Sequence, residues 1–438
     1  MGAPQNSFGW SNNTAHGAAY IYYGPFSADK TTPDVSINGT GGQGPAKFGI
    51  SVVAGRFNND NYWDALVGRI SNDIAGSCSP CGTVQIYYGS SSFDTTVDVQ
   101  FQWPSSPRNF GTMVGAGNLD NANYDDVLIG EPGRDLGTDA GGDGVVYVYM
   151  SPFGSSETSS DYRLIPSGTF GQTNGQLGKA IATSKIDSDA YADVVVGELN
   201  YNTNNGRVQF YKGSHFTSGS GDVSPDATLD SPGPGGENFG TSVAAGTLNG
   251  DAYADVVVGA PASSSFDGAV YVFLANSDGT GLTSGVSPDV TILGVSASVE
   301  QLGRSVLVID FDSDGTNDIF AGAPTADAGG TDRGSVYWYD EPLADQTADA
   351  TFSGSQTSEN FGFALAGGRF SSDSQPVVLI GAYLWDKSGN QNDGRGVVAM
   401  VPETVPMMLA TVVILGLAAR SLQRRRLVRK RRKLRLEN

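Results

Sequence analysis

The chain reads as an all-β protein, a β-propeller of four-stranded antiparallel blades. A unit of about sixty residues recurs along nearly its whole length. Each unit holds four short apolar runs separated by Gly, Asn, Asp and Ser. Sixty glycines and scarce helix-forming stretches suit short strands joined by many turns.

The units open at Phe48-Gly49, Phe110-Gly111, Leu177-Gly178, Phe239-Gly240, Leu302-Gly303 and Phe361-Gly362, at spacings of 62, 67, 62, 63 and 59 residues. A small-residue strand follows each opening, as in Val243-Ala-Ala-Gly246, where close approach at a central axis would be tolerated. The second strand ends in a Gly-Ala/Glu-Pro landmark: Val127-Leu-Ile-Gly-Glu-Pro132, Val256-Val-Val-Gly-Ala-Pro261 and Ile319-Phe-Ala-Gly-Ala-Pro324. The third begins with Gly and alternates Val with aromatics, as in Gly144-Val-Val-Tyr-Val-Tyr149 and Gly268-Ala-Val-Tyr-Val-Phe273. A fourth alternating run closes most units, as in Asp226-Ala-Thr-Leu-Asp230. One four-stranded sheet cannot bury its faces alone, and radial packing of such sheets leaves only short edges.

The ends of the array are informative. Residues 1–47 form a partial repeat, with Met1–Pro4 matching the end of a second strand and Gly17–Tyr23 a third. The unit opening at Phe361 stops near residue 400, after its third strand. The expected count is therefore seven blades with the first truncated, its missing strands and a signal peptide lying upstream. A six-bladed ring closed by the N-terminal strands is the alternative.

These ordered landmarks closely resemble the FG-GAP repeat of integrin α-subunit propellers, over nearly all of residues 1–400. The resemblance implies an extracellular, calcium-binding propeller acting in adhesion or binding, with a protein or glycan ligand.

A nine-residue loop between the first and second strands carries the chemistry. Positions 1, 3, 5 and 9 offer side-chain oxygens, and a hard cation such as Ca2+ takes six or more oxygen ligands. The resemblance adds a backbone carbonyl at position 7. The most complete copy has Asp310, Asp312, Asp314 and Asp318, with Thr316 at the carbonyl position and Gly315 easing the turn. Thr247, Asn249, Asp251 and Asp255, with Tyr253 at position 7, form the second. Asn118, Asp120 and Asp126 form a third, lacking an oxygen at Ala122. In two more loops a cation takes position 1: Arg56 before Asn58, Asp60 and Asp64, and Lys185 before Asp187, Asp189 and Asp193. Either those side chains swing outward from weakened sites, or they replace the ion. The last loop, with Arg369, Ser371, Asp373 and Val377, lacks the pattern. Asx-rich turns alone would explain one such loop, but not the same offsets repeated along the chain.

The formal charge of −20 is unevenly spread. Residues 401–438 hold ten Lys/Arg and two Glu, leaving 16 basic and 44 acidic residues in 1–400. Such an acidic body excludes nucleic acid as a partner and suits cations or a salty exterior. Val401, Pro402 and Pro406 (401–406) precede an apolar segment, 407–422, and a basic tail, 423–438. That segment is expected to be a short transmembrane helix with its cations cytoplasmic and the propeller outside. The order of a VPxxxP motif, apolar stretch and basic tail resembles sorting signals processed by exosortases and archaeosortases. The resemblance implies a sorting transpeptidase as partner, with a retained membrane anchor as the alternative. Asn12 and Asn38 head glycosylation sequons.

Cys78 and Cys81 are the two cysteines and read as a local disulfide pinning a loop, a single CxxC lacking the further ligands of a zinc site. His16 and His215 are the two imidazoles, neither beside a Gly-x-Ser-x-Gly or zinc motif, so the expected protein is not an enzyme. A structural role in a cell-surface layer is one alternative, and a propeller-based surface hydrolase or lyase another.

Overall fold

The computed structural model describes residues 2–3, 17–22, 33–39, 47–74, 78–102, 109–137, 142–167, 175–294, 299–327, 331–340, 342, 345–369, 376–382 and 395–400. Among them the strands form seven sheets in chain order. Sheet 1 has three strands, Gly2–Ala3, Ala18–Ile21 and Val35–Asn38. Sheet 2 comprises Lys47–Gly55, Asp64–Ile74, Cys78–Tyr87 and Val99–Gln102. Sheet 3 comprises Met113–Gly117, Asp126–Glu131, Val145–Tyr149 and Tyr162–Leu164. Sheet 4 follows with Leu177–Ser184, Asp193–Glu198, Arg207–Tyr211 and Ala227–Asp230. Sheet 5 holds Ser242–Gly246, Asp255–Ala260, Ala269–Phe273 and Val290–Leu293. Sheet 6 holds Ser305–Ile309, Asp318–Ala323, Ser335–Tyr339 and Ala350–Ser353. Sheet 7 has Phe361–Arg369, Pro376–Ala382 and Arg395–Met400. Within each sheet these strands pair antiparallel in sequence order. Two outer edges gain a parallel strand from the next repeat: Ser156–Glu157 beside Val99–Gln102, and Gly221–Val223 beside Tyr162–Leu164. Such cover blunts an otherwise open edge.

Stacking of these sheets explains why second and third strands read as unbroken apolar runs. In Val145–Tyr149, alternate residues point to opposite faces. Val145, Tyr147 and Tyr149 join Leu66, Val84 and Phe101 of sheet 2, whereas Val146 and Val148 join Val194, Val196 and Tyr211 of sheet 4. The same division sends Val256 and Val258 toward sheet 4 and Val257 toward sheet 6. Six apolar clusters, one per pair of consecutive sheets, form the described core.

The landmark glycines mark where backbones touch. A Cβ at Gly259, in the second strand of sheet 5, would lie 1.9 Å from the carbonyl oxygen of Gly303, which opens sheet 6. The equivalent approach of Gly197 to Gly240 is 2.1 Å. Ser242 Oγ donates to the same Gly303 oxygen at 2.9 Å, and Ser305 Oγ to that of Gly362 at 2.8 Å. Thus the Gly of each opening and the Gly of Gly-Ala-Pro are two halves of one seam. The Val243–Gly246 run expected at a crowded axis does lie on an innermost strand, but its residues are only half-buried.

Candidate metal-binding rim

The acidic loops leave the ends of the innermost strands and gather on one rim. Five share one fold. The Asp at position 9 is the first residue of the second strand, and its Oδ2 accepts the N–H of position 2: Phe57→Asp64 at 2.7 Å, and Leu119→Asp126, Ile186→Asp193 and Leu248→Asp255 at 2.8 Å. Phe311 donates likewise to Asp318 at 2.9 Å. In four loops the other oxygen accepts an N–H just past the third strand, from Gly89, Ser151, Gly213 and Ala275. Among the described residues, Asp318 Oδ1 has no such donor and is fully buried. Earlier loop positions make Asx turns that curl the backbone so that alternate side chains converge. Asp189 accepts from Tyr191, Asp251 from Tyr253, and Asp314 from Thr316.

Neighbouring loops are also tied to each other. The position-1 carbonyl of one accepts the position-8 N–H of the next, as Arg56 from Asp125, Asn118 from Ala192, Lys185 from Ala254, and Thr247 from Asn317. Asn317 Nδ2 further donates to the Thr247 carbonyl at 3.0 Å. Order imposed on one loop is therefore passed along the rim.

The side chains fall into four arrangements. Oxygens of Asp310, Asp312 and Asp314 lie within 4.8 Å of one another, as do those of Asp187, Asp189 and Asp193. In the 247–255 loop, Asn249 Nδ2 donates to Asp251 Oδ2 at 2.9 Å, and Thr247 Oγ1 accepts from Asn317. In the 118–126 loop, Asn118 spends its amide on the Ala122 carbonyl, while its buried Oδ1 has no hydrogen-bond partner among the described residues. Asp60 of the 58–64 loop accepts from Tyr62, and Asn58 from Asp60.

Burial pushes the position-9 carboxyls upward. Asp126, Asp193 and Asp255 reach about 6, and Asp318, with the charges of Asp340 and Asp312 added, reaches about 8. Asp64 moves in the same direction, also through burial.

Of the two cations at position 1, Arg56 lies outward over Trp63, its guanidinium carbon 5.9 Å from the ring centroid. Lys185 is exposed and pairs with none of its loop's carboxylates. The cation that does enter the 185–193 loop is Lys212, whose Nζ lies 3.1 Å from Asp187 Oδ2. It comes from the end of the third strand, and no signal in the loop itself marks it. An ammonium there competes with a divalent ion for the same oxygens. The expected outcome of Lys212→Met is therefore one additional or tighter calcium site, read as stoichiometry by calorimetric titration. Unchanged stoichiometry and affinity would mean that Lys212 does not compete.

Buried carboxylates also occur toward the opposite rim, which the sequence did not single out. Glu131 accepts from Tyr147 at 2.7 Å, Glu237 from Ser263 at 2.9 Å, and Glu198 pairs with Arg207. Each is satisfied locally and serves the seams. His215 contacts Asp226 at 2.9 Å on the surface, and among the described residues no hydroxyl or thiol hydrogen-bonds to it.

His16, Ser371, Asp373, the 401–406 motif, the 407–422 segment, the 423–438 tail and the Asn12 sequon lie outside the described residues. So do the side chains of Cys78 and Cys81 and of Arg369. No helix among the described residues is long and apolar enough to cross a membrane.

A family model of the FG-GAP repeat matches residues 239–273 and 302–339, the repeats that carry the two fullest loops. Phosphatidylinositol-glycan-specific phospholipase D of Rattus norvegicus is 30% identical over 254 residues, 53% of this chain and 29% of the relative. Integrin alpha-5 of Xenopus laevis is 29% identical over 225 residues, 49% of this chain and 20% of the relative. Integrin alpha-V of Gallus gallus is 25% identical over 332 residues, 69% of this chain and 29% of the relative. The chain spans less than a third of the length of each.

Proposed function

We propose that this chain of FG-GAP repeats, an integrin-like propeller, is a calcium-stabilised binding module displayed at a cell surface. Five loops of one conformation, each with a buried Asp at position 9, carry the reading. A carboxyl that burial raises to about 8, as at Asp318, keeps its proton at neutral pH, and a hard cation at the loop would favour its ionised, ligating form. Asp310, Asp312, Asp314 and Asp318, with the Thr316 carbonyl, form the strongest site. Thr247, Asn249, Asp251, Asp255 and the Tyr253 carbonyl form the next. Asn118, Asp120 and Asp126, and Asn58, Asp60 and Asp64, hold the ion more weakly. Asp187, Asp189 and Asp193 are partly neutralised by Lys212. The ion is structural, fixing loops that are already chained edge to edge.

Likeness to integrin alpha chains supports an extracellular place and a protein or glycan ligand. The C-terminal apolar segment is the anchor, retained or exchanged by a sorting transpeptidase. Likeness to phospholipase D chains gives the competing enzymatic reading. Against it stand the carboxylates of the rim, which are committed to loop closure, and His215, whose one side-chain partner among the described residues is Asp226.

A solid-phase screen of the full chain against glycans and surface proteins, with calcium and with chelator, tests the module. Calcium-dependent retention on one ligand class is expected. Self-assembly without any ligand would point to a surface-layer component instead. Cleavage of a phosphatidylinositol-glycan substrate would overturn the non-enzymatic reading.

A further inference from the structure

Because the sheets repeat, one seam can be compared with the next, position by position. Strand registers place Arg69, Gln85 and Tyr87 of sheet 2 where sheet 4 has Glu198, Gln209 and Tyr211, and where sheet 3 has Glu131, Tyr147 and Tyr149. Alternation turns these residues toward the preceding sheet, and Tyr87 accordingly joins the cluster of Ile37 and Phe48. In sheet 4 the polar groups satisfy one another. Glu198 accepts from Arg207 and from Gln209, and Tyr211 donates to Gln209 Oε1 at 3.1 Å. In sheet 3 aromatic rings fill the seam instead. Tyr147 packs on Phe110 with centroids 5.5 Å apart, and Tyr149 on Phe101 at 4.8 Å.

The seam between sheets 1 and 2 has neither device. Ile37 stands in place of Phe101, and Gln85 in place of Tyr147. These smaller side chains leave a partly enclosed cavity of about 230 Å3, walled by Ser36, Ile37 and Asn38 on one side and by Arg69, Gln85 and Tyr87 on the other.

Tyr87 donates to Gln85 Oε1 at 2.8 Å, as Tyr211 does to Gln209, but Gln85 Nε2 turns to Gln100 at 3.2 Å. Arg69 is 6% exposed. Thr83, directly opposite it in register, holds the place that Arg207 has in sheet 4. The buried Thr83 Oγ1 has no hydrogen-bond partner among the described residues. None of the described residues lining the cavity is acidic. The arginine, amide and phenol of the sheet 4 network thus recur around an open space with no carboxylate of its own.

We propose that this cavity binds a small carboxylate, held by Arg69 with Gln85 and Tyr87 beside it, much as Glu198 is held by Arg207 and Gln209. A guanidinium offers five N–H donors in a planar fork that matches a carboxylate. A cavity of about 150 Å3 admits benzene, so this one has room for a single ring carrying the acid. Ser36, Asn38 and Thr95 offer hydroxyl and amide groups to a sugar ring, whereas Ile37, Phe48 and Val97 suit a hydrocarbon one. The site is independent of the calcium rim and of the function proposed above.

Saturation-transfer NMR on the full chain in calcium tests the site with three probes: sodium glucuronate, sodium benzoate and glucose. Saturable binding of at least one acid is expected, with none of glucose at the same concentrations. Arg69→Met should weaken the acid about tenfold or more. Since a buried arginine also serves the fold, Gln85→Tyr is the second variant. It supplies the ring that Tyr147 has in sheet 3, so it should abolish acid binding while melting no lower than wild type. Preference for glucuronate would make the ligand a sugar acid, and preference for benzoate a hydrocarbon acid. A wild type that binds neither acid, glucose binding as tightly as glucuronate, or a variant that binds the acid as wild type does would overturn the site.

Discussion

Gly259→Ala is expected to lower stability by about 3 kcal/mol or more, because overpacking against rigid backbone leaves no rotamer to relieve it. The added Cβ would sit 1.9 Å from the Gly303 carbonyl oxygen and 2.4 Å from Ser242 Oγ. Relief requires sheets 5 and 6 to move apart, which opens the cluster of Val257, Ile292, Val306 and Ala321. Gly285→Ala supplies the contrast. Its φ is +72° and nothing lies within 4 Å of the new Cβ, so only the left-handed backbone term of about 1–2 kcal/mol applies. Urea midpoints of both variants measure the difference. Equal losses would mean that the seam is not set by backbone contact.

The second large effect is a pH-dependent dependence on calcium. The Asp318 carboxyl is raised from an ordinary 3.8 to about 8 by burial, with the Asp340 and Asp312 charges adding to it. A folded state with the higher pKa holds its proton more tightly than the unfolded chain does. The associated stability is therefore complete below about pH 4 and is lost as pH rises through 8. Asp126, Asp193 and Asp255, at about 6, act in the same direction but are spent by neutrality. Between pH 6.5 and 8.5 the chelated protein should thus lose melting temperature mainly through Asp318. Calcium should restore it, more strongly at the higher pH. Asp318→Asn, which cannot charge, should flatten the chelated profile and shrink the calcium effect. A chelated profile that rises toward pH 8.5 would contradict the assignment.

The architecture was largely legible because its signals are periodic. Second strands such as Asp193–Glu198 and Asp255–Ala260 begin at the loop position read from spacing, and third strands follow their Gly. Gly259 and Gly303, 44 residues apart in sequence, each had a visible local role, but their contact across a seam is a product of tertiary stacking. The same limit applies to the loops. Offsets identified Asp310, Asp312 and Asp314 as neighbours, since all three lie in one turn. Lys212 reaches Asp187 from 25 residues away, and only the pairing of Asp193–Glu198 with Arg207–Tyr211 brings it there. Arg56 and Lys185 drew attention by proximity in sequence, yet both lie outward, as long exposed side chains do at little cost.

The most direct test of the account is calorimetric titration of calcium into the chelator-treated full chain, beside an Asp314→Ala, Asp318→Ala variant. Saturable binding at more than one site is expected, with the tightest removed in the variant. Absence of heat at millimolar calcium, or a variant that titrates like the wild type, would reduce the loops to turns and contradict the proposed metal rim.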